Sequence, residues 1–132
     1  MTMLGYTVTI DGPFDEAVET VTKALATEGF GVISRIDLDK AFAEKIGADF
    51  RRYTILGACN PNLALKAVTA RPDIGLLLPC NVTVEQAGQD CIVRIVDAGV
   101  MMQSGDLSGT PEIAEVASDA VERLTKVAAK LG

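Results

Sequence analysis

The sequence predicts an α+β fold: a mostly antiparallel five-stranded sheet with helices packed on one face, in the order βαβαβαββα. Three observations carry this. Short segments with apolar residues at every second position alternate with longer ones that repeat at three and four. A glycine-centred turn at 86–90 joins two strand-like segments directly, which breaks the regular βα alternation of a doubly wound parallel sheet. A long amphipathic segment then closes the chain. At 132 residues the chain has the length of one domain, and it carries no repeat, linker or low-complexity tract.

Tyr6, Val8 and Ile10 alternate with Thr7 and Thr9, the pattern of a half-buried strand. Gly12-Pro13 opens a helix whose Phe14, Ala17, Val18, Val21 and Leu25 form one stripe, and Gly29 stops it. Val32 to Ile36 reads as the second strand. Asp37 is placed to cap a short helix with Leu38, Phe42 and Ile46 on one face, ending at Gly47. The third strand covers about Phe50 to Ala58. Asn60-Pro61 starts a helix that runs to about Ala70, and Arg71-Pro72-Asp73 ends it. A fourth strand is expected from Leu76 to Gln86. Pro79 within it cannot donate to a ladder and marks a bulge, a bend or an edge. Cys91 to Val96 is the fifth strand, and Ala98 to Gly109 reads as a loop rich in Gly and Ser. Thr110-Pro111 starts the last helix, striped by Ile113, Val116, Ala117, Ala120, Val121, Leu124, Ala128 and Leu131.

Composition excludes several functions. Hydrophobic residues make up 48% and the net charge is −6, so the chain is neither disordered nor basic enough to replace counterions on phosphates. Arg51-Arg52 is its one adjacent basic pair, and no nucleic acid is expected. The longest purely aliphatic run, Leu76-Leu77-Leu78, is far below the roughly 20 residues of a membrane span. The first residues carry no basic segment before an apolar core, so a cytosolic location with reduced cysteines is expected. The apolar content suits a homo-oligomer. There is no histidine, which removes Ser-His-Asp and Cys-His catalysis and every histidine metal site. An enzyme is therefore not the leading expectation.

Two segments carry candidate chemistry. Cys59 stands just ahead of a predicted helix with Asn60 as N-cap and Pro61 first in the helix; the free amides and the dipole there stabilise a thiolate. Read structurally, Cys59 is a small buried residue before a well-capped helix. Cys80 follows Pro79 at a break in a strand, with Asn81 beside it. Cys-Asn next to proline thus occurs twice. Cysteines meeting from the two segments would suit a small molecule, a soft metal ion held by Cys59 and Cys80, a reversible disulfide or an electrophilic ligand, with Asn60 and Asn81 orienting it. The close pairs of a zinc site are absent, and two thiolates leave a tetrahedral shell unfilled. Cys91 lies on the face of Val93 and Ile95 and reads as core. Ser104 to Thr110 has the layout of a loop before a helix N-terminus, without a P-loop ending, and reads as a capping loop. Glu16, Glu19, Glu115 and Asp119 fall on solvated faces and offer no acid-base pair.

The string from Tyr53 through Gly57, Cys59, Asn60 and Pro61 to Ala64, followed by Ile74 to Val82 with Pro79-Cys80-Asn81, closely resembles the domain-of-unknown-function 302 family. Glu28-Gly29-Phe30-Gly31-Val32 matches the same family's first helix-to-strand turn. The resemblance spans nearly the whole chain. It implies an α+β fold similar to the TATA-binding-protein-like class without DNA binding, and homodimers in bacteria and archaea. It implies no activity and no cofactor. Another branch of the family keeps the Asn-Pro and Leu-Pro pairs without the cysteines, which assigns the prolines to the fold and the cysteines to a subgroup. Asp97-Ala98 stands where many relatives have Asp-Pro. The leading expectation is a small binding or sensing module with a Cys59/Cys80 site. An interaction module with structural cysteines comes next, and a thiol-dependent redox protein after it.

Overall fold

The computed structural model describes residues 3–132. Its strands are β1 (Gly5–Asp11), β2 (Gly31–Asp37), β3 (Tyr53–Cys59), β4 (Cys80–Ala87) and β5 (Asp90–Val96). Its α-helices are α1 (Phe14–Thr27), α2 (Leu38–Ile46), α3 (Pro61–Ala70), α4 (Ala98–Met101) and α5 (Pro111–Leu131), with 3-10 segments at Pro72–Leu77 and Leu107–Gly109. The five strands form one sheet in the order β1-β5-β4-β3-β2. Every neighbouring pair is antiparallel. The α+β expectation holds, and the sheet is wholly rather than mostly antiparallel.

One face of the sheet is covered. Register aligns Tyr6, Ile95, Val82 and Leu56 across four strands, and Val8, Val93, Val84 and Thr54 in the next row. The period-two pattern turns these residues inward, under α1 and α5. From α1, Phe14, Ala17, Val18, Val21, Ala24 and Leu25 are buried. Each fully buried Val, Leu or Phe contributes about 1.5–3 kcal/mol. Gly29, at φ +83°, turns the chain out of α1 and into β2. Arg123 on α5 donates to the Glu28 carbonyl, and Lys130 pairs with the Glu28 carboxylate, tying α5 to the end of α1.

The β4–β5 hairpin closes through Gly88 and Gln89, with Gly88 at φ +64° in the first position of a type II′ turn. The opposite face of the sheet carries Glu85, 5% exposed, which accepts hydrogen bonds from Arg51 and Arg94. On the same face the Thr83 hydroxyl is buried without a hydrogen-bond partner.

Three local expectations are corrected. The strand expected from Leu76 begins at Cys80, and residues 72–77 form a 3-10 turn instead. Pro72 enters the first helical position, Arg71 donates to the Asp73 carboxylate through Nε and Nη2, and Ile74 is fully buried beneath the turn. Asp37 does not cap α2; its carboxylate is taken by the Thr54 hydroxyl and by Arg35. The segment expected as loop from Ala98 to Gly109 contains α4, because Asp97 accepts from the Gly99 and Val100 amides and caps a turn. Arg71 also reaches Asp106 and Thr110, so the Ser104–Thr110 segment is held by an ion pair and behaves as a packed connection. None of the described helices is long and apolar enough to cross a membrane.

Candidate functional site

The site is built where β3 ends, β4 begins and α3 departs. Asn60 caps α3 as expected: its Oδ1 accepts from the Leu63 amide at 3.3 Å, and Pro61 takes the first helical position. Asn60 is only 7% exposed. Its Nδ2 lies beside Gly29, where a Cβ would come within 2.9 Å, so Gly29 both turns the chain and leaves room for this amide. Leu78-Pro79 is a cis peptide bond. The Pro79 ring lies against Gly57, where a Cβ would approach the ring to 2.6 Å and the Ser34 hydroxyl to 2.1 Å. Glycine at 57 is thus required for β2, β3 and the start of β4 to close on one another.

Ala58 pairs with Cys80 across the β3–β4 ladder, and Cys59, the next residue, ends β3 beside the start of β4. Both cysteines are reduced and line a single cavity of about 350 Å³. Asn60, Leu63, Phe30 and Met102 are among the other residues of its wall, as are Ala64, Ala67 and Ala120. The cavity lies at the seam between two hydrophobic clusters, one under the sheet and one joining α3 to the start of α5. Its lining contains no charged side chain and one amide. Cys59 is half-buried, while Cys80 is 6% exposed. Burial, with a smaller contribution from a neighbouring Cys59 charge, pushes the Cys80 thiol up to about 11. Cys80 is therefore a neutral thiol throughout the physiological range.

The structure thus brings together Cys59, Asn60 and Cys80, and it separates Asn81 from them. Asn81 is exposed on the opposite face of the sheet, where it borders a shallow depression with Tyr53, Thr83 and Arg94. The cause is elementary: adjacent strand residues point to opposite faces, so Cys80 and Asn81 cannot share one pocket. Cys91 is fully buried as expected, its thiol donating to the Gly12 carbonyl, and burial raises its pKa. Met102 and the alanines of the wall were not singled out from sequence. Among the described residues no three His, Cys, Asp or Glu side chains gather as a metal site. Two thiols and a thioether in an otherwise hydrocarbon wall suit a neutral ligand better than a divalent ion.

Comparison with known proteins places this architecture. A crystal structure of an uncharacterized conserved DUF302 protein from Bacillus stearothermophilus shares the fold with a TM-score of 0.85 at 26% identity, over 99% of this chain and 100% of that one. No curated protein matches. The model of the family described as domain of unknown function DUF302 matches residues 6–131, from the first strand to the end of α5, and the chain belongs to that family.

Proposed function

We propose that this protein is a small binding module that takes a neutral, largely apolar molecule into the Cys59/Cys80 cavity. One observation carries the reading: Cys59-Asn60 and Cys80, from two separate segments, line a single cavity whose wall is otherwise almost wholly hydrocarbon. Its volume of about 350 Å³ falls within the range of small-molecule sites. An ion entering it would lose its water and meet no opposite charge, a heavy penalty. A neutral molecule loses little, and its apolar surface gains by burial. Asn60 supplies the one amide of the wall, a polar contact that fixes orientation rather than affinity.

The test uses N-phenyl-1-naphthylamine, a neutral aromatic probe whose fluorescence rises in apolar surroundings. The wild-type protein gives a saturable rise with one site per chain. Ala67→Leu, which fills the inner wall, and Ala64→Phe, which plugs a half-exposed part of it, each abolish the rise while circular dichroism stays unchanged. An equal signal from wild type and both folded variants overturns the reading.

A further inference from the structure

We propose that the depression on the open face of the sheet is a second binding site, which takes a small organic monocarboxylate through Arg94, Asn81 and Thr83. It is separate from the Cys59/Cys80 cavity and does not rest on it. Strand alternation builds it. Thr83 pairs with Arg94 across the β4–β5 ladder, and Asn81 and Val96 each lie two residues further along their strands. All four therefore share the face opposite α1 and α5. With Leu4 and Tyr53 they line a space of about 410 Å³, within the range of small-molecule sites.

Charge decides the ligand class. Both oxygens of the buried Glu85 carboxylate are committed, Oε1 to Arg94 and Oε2 to Arg51. Neither arginine pairs with another carboxylate among the described residues, so two guanidinium charges share one anion. Arg94 engages Glu85 through Nη1, its side chain is 42% exposed, and Nε and Nη2 of its fork remain for a second carboxylate. The other polar side chains of the lining, Asn81, Thr83 and Tyr53, each carry an N–H or O–H donor, and the lining holds no carboxylate. The Thr83 hydroxyl is buried without a hydrogen-bond partner among the described residues. It has lost water and gained nothing in exchange, a cost that a ligand oxygen seated in the depression relieves.

Leu4, Val96 and the Tyr53 ring make the rest of the wall largely apolar. The carboxylate must therefore sit on an aryl or branched alkyl body that gains by burial there. A neutral analogue forgoes the charge-assisted bonds to Arg94. A dianion brings a second charge that finds no second unshared cation on this face.

Benzoate is the probe, titrated into the isotope-labelled full chain at neutral pH and followed by backbone amide chemical shifts, with benzamide as its neutral isostere. The expected result is saturable shifts gathered at 81–83 and 94–96, with benzoate bound about tenfold or more tighter than benzamide. Arg94→Lys keeps the charge beside Glu85 but loses the fork, and it weakens benzoate about tenfold. Asn81→Ala, at an exposed position, weakens it about threefold with the melting temperature unchanged. Thr83→Val replaces the unpartnered hydroxyl by a methyl group, so the melting temperature holds or rises while benzoate binding weakens. Equal affinity for benzoate and benzamide overturns the site, as do shifts that gather at the Cys59 end of α3 instead. Unchanged benzoate affinity in the folded Arg94→Lys and Thr83→Val variants overturns it as well.

Discussion

The two ends of the covered sheet face share one layer of the fold and are filled differently. At the hairpin end, Cys91, Val93 and Val84 lie at 0% exposure in the cluster that holds Phe14 and Val18 of α1. Arg52 covers the Phe14 ring at 4.2 Å, closing that end from outside. At the other end, Ala58 and Cys80 face Ala67 and Ala120, and about 350 Å³ stays open. Topology is the same at both ends, and side-chain volume differs. The hollow therefore follows from a choice of small residues on four elements rather than from the path of the chain. A protein interior normally fills such space, and the missing contacts represent forgone stability. That makes the hollow end the place to look for a ligand.

The comparison breaks first at its packed end. Phe14→Ala removes a ring that is 3% exposed, and the expected loss of unfolding free energy is about 3–5 kcal/mol, read from urea denaturation. A loss under about 1 kcal/mol would mean that the packed end relaxes around the deletion as freely as an open pocket does, and the contrast would disappear.

The next effect separates the ends by charge. Glu85, on the opposite face near the hairpin, is held below the usual carboxyl range, first by its hydrogen bond to Arg94 and then by Arg51 and the charge of both. A lowered folded pKa means the unfolded chain binds the proton more readily. This contribution is therefore present above the ordinary carboxyl value of 4.5 and is lost as pH falls through the lower folded value. Glu85→Gln is expected to cost about 1–3 kcal/mol at pH 7, allowing for the exposed arginines. The gap from wild type narrows as the pH falls through the lowered folded value, because both proteins become neutral at 85. A gap that does not depend on pH would assign the loss to packing. The hollow end is expected to contribute no such acid sensitivity, since its wall contains no carboxylate.

Much of this was legible from residue order, and the exceptions have physical causes. Pro61 after Asn60 specifies a helix start, and the structure has the cap there, because both signals act within one turn. The alternation in 91–96 likewise specifies which side chains enter the core. Leu76 to Leu78 misleads because a short apolar run is equally compatible with a buried turn. Pro72 and the Arg71–Asp73 pair decide for the 3-10 segment, 89% exposing Leu76 while burying Ile74. The two Cys-Asn segments look equivalent in sequence. In space they differ, since Asn60 leaves the sheet to cap a helix while Asn81 stays in a strand and turns to the other face. The cavity itself was invisible, because Ala58, Ala64, Ala67 and Ala120 become neighbours only through the packing of α3 and α5 against β3.

The smallest expected effect is the most discriminating. In a close-packed core, enlarging a fully buried alanine costs about 1–3 kcal/mol through strain. Ala67 is 0% exposed and lies on α3 against the open space. Leucine and alanine differ little in helix propensity, so Ala67→Leu isolates the packing change. Because the added carbons have somewhere to go, stability should stay within about 1 kcal/mol of wild type, with a gain if the new side chain recovers dispersion contacts across the gap. Differential scanning calorimetry measures this directly. A destabilisation of about 2 kcal/mol or more would show that residue 67 is already surrounded as tightly as Phe14, and the volume would then belong to the Cys59 side of the wall. Retained stability with loss of naphthylamine binding would show instead that the hollow is space the fold does not need for its own integrity, which is the property expected of a site kept open for a ligand.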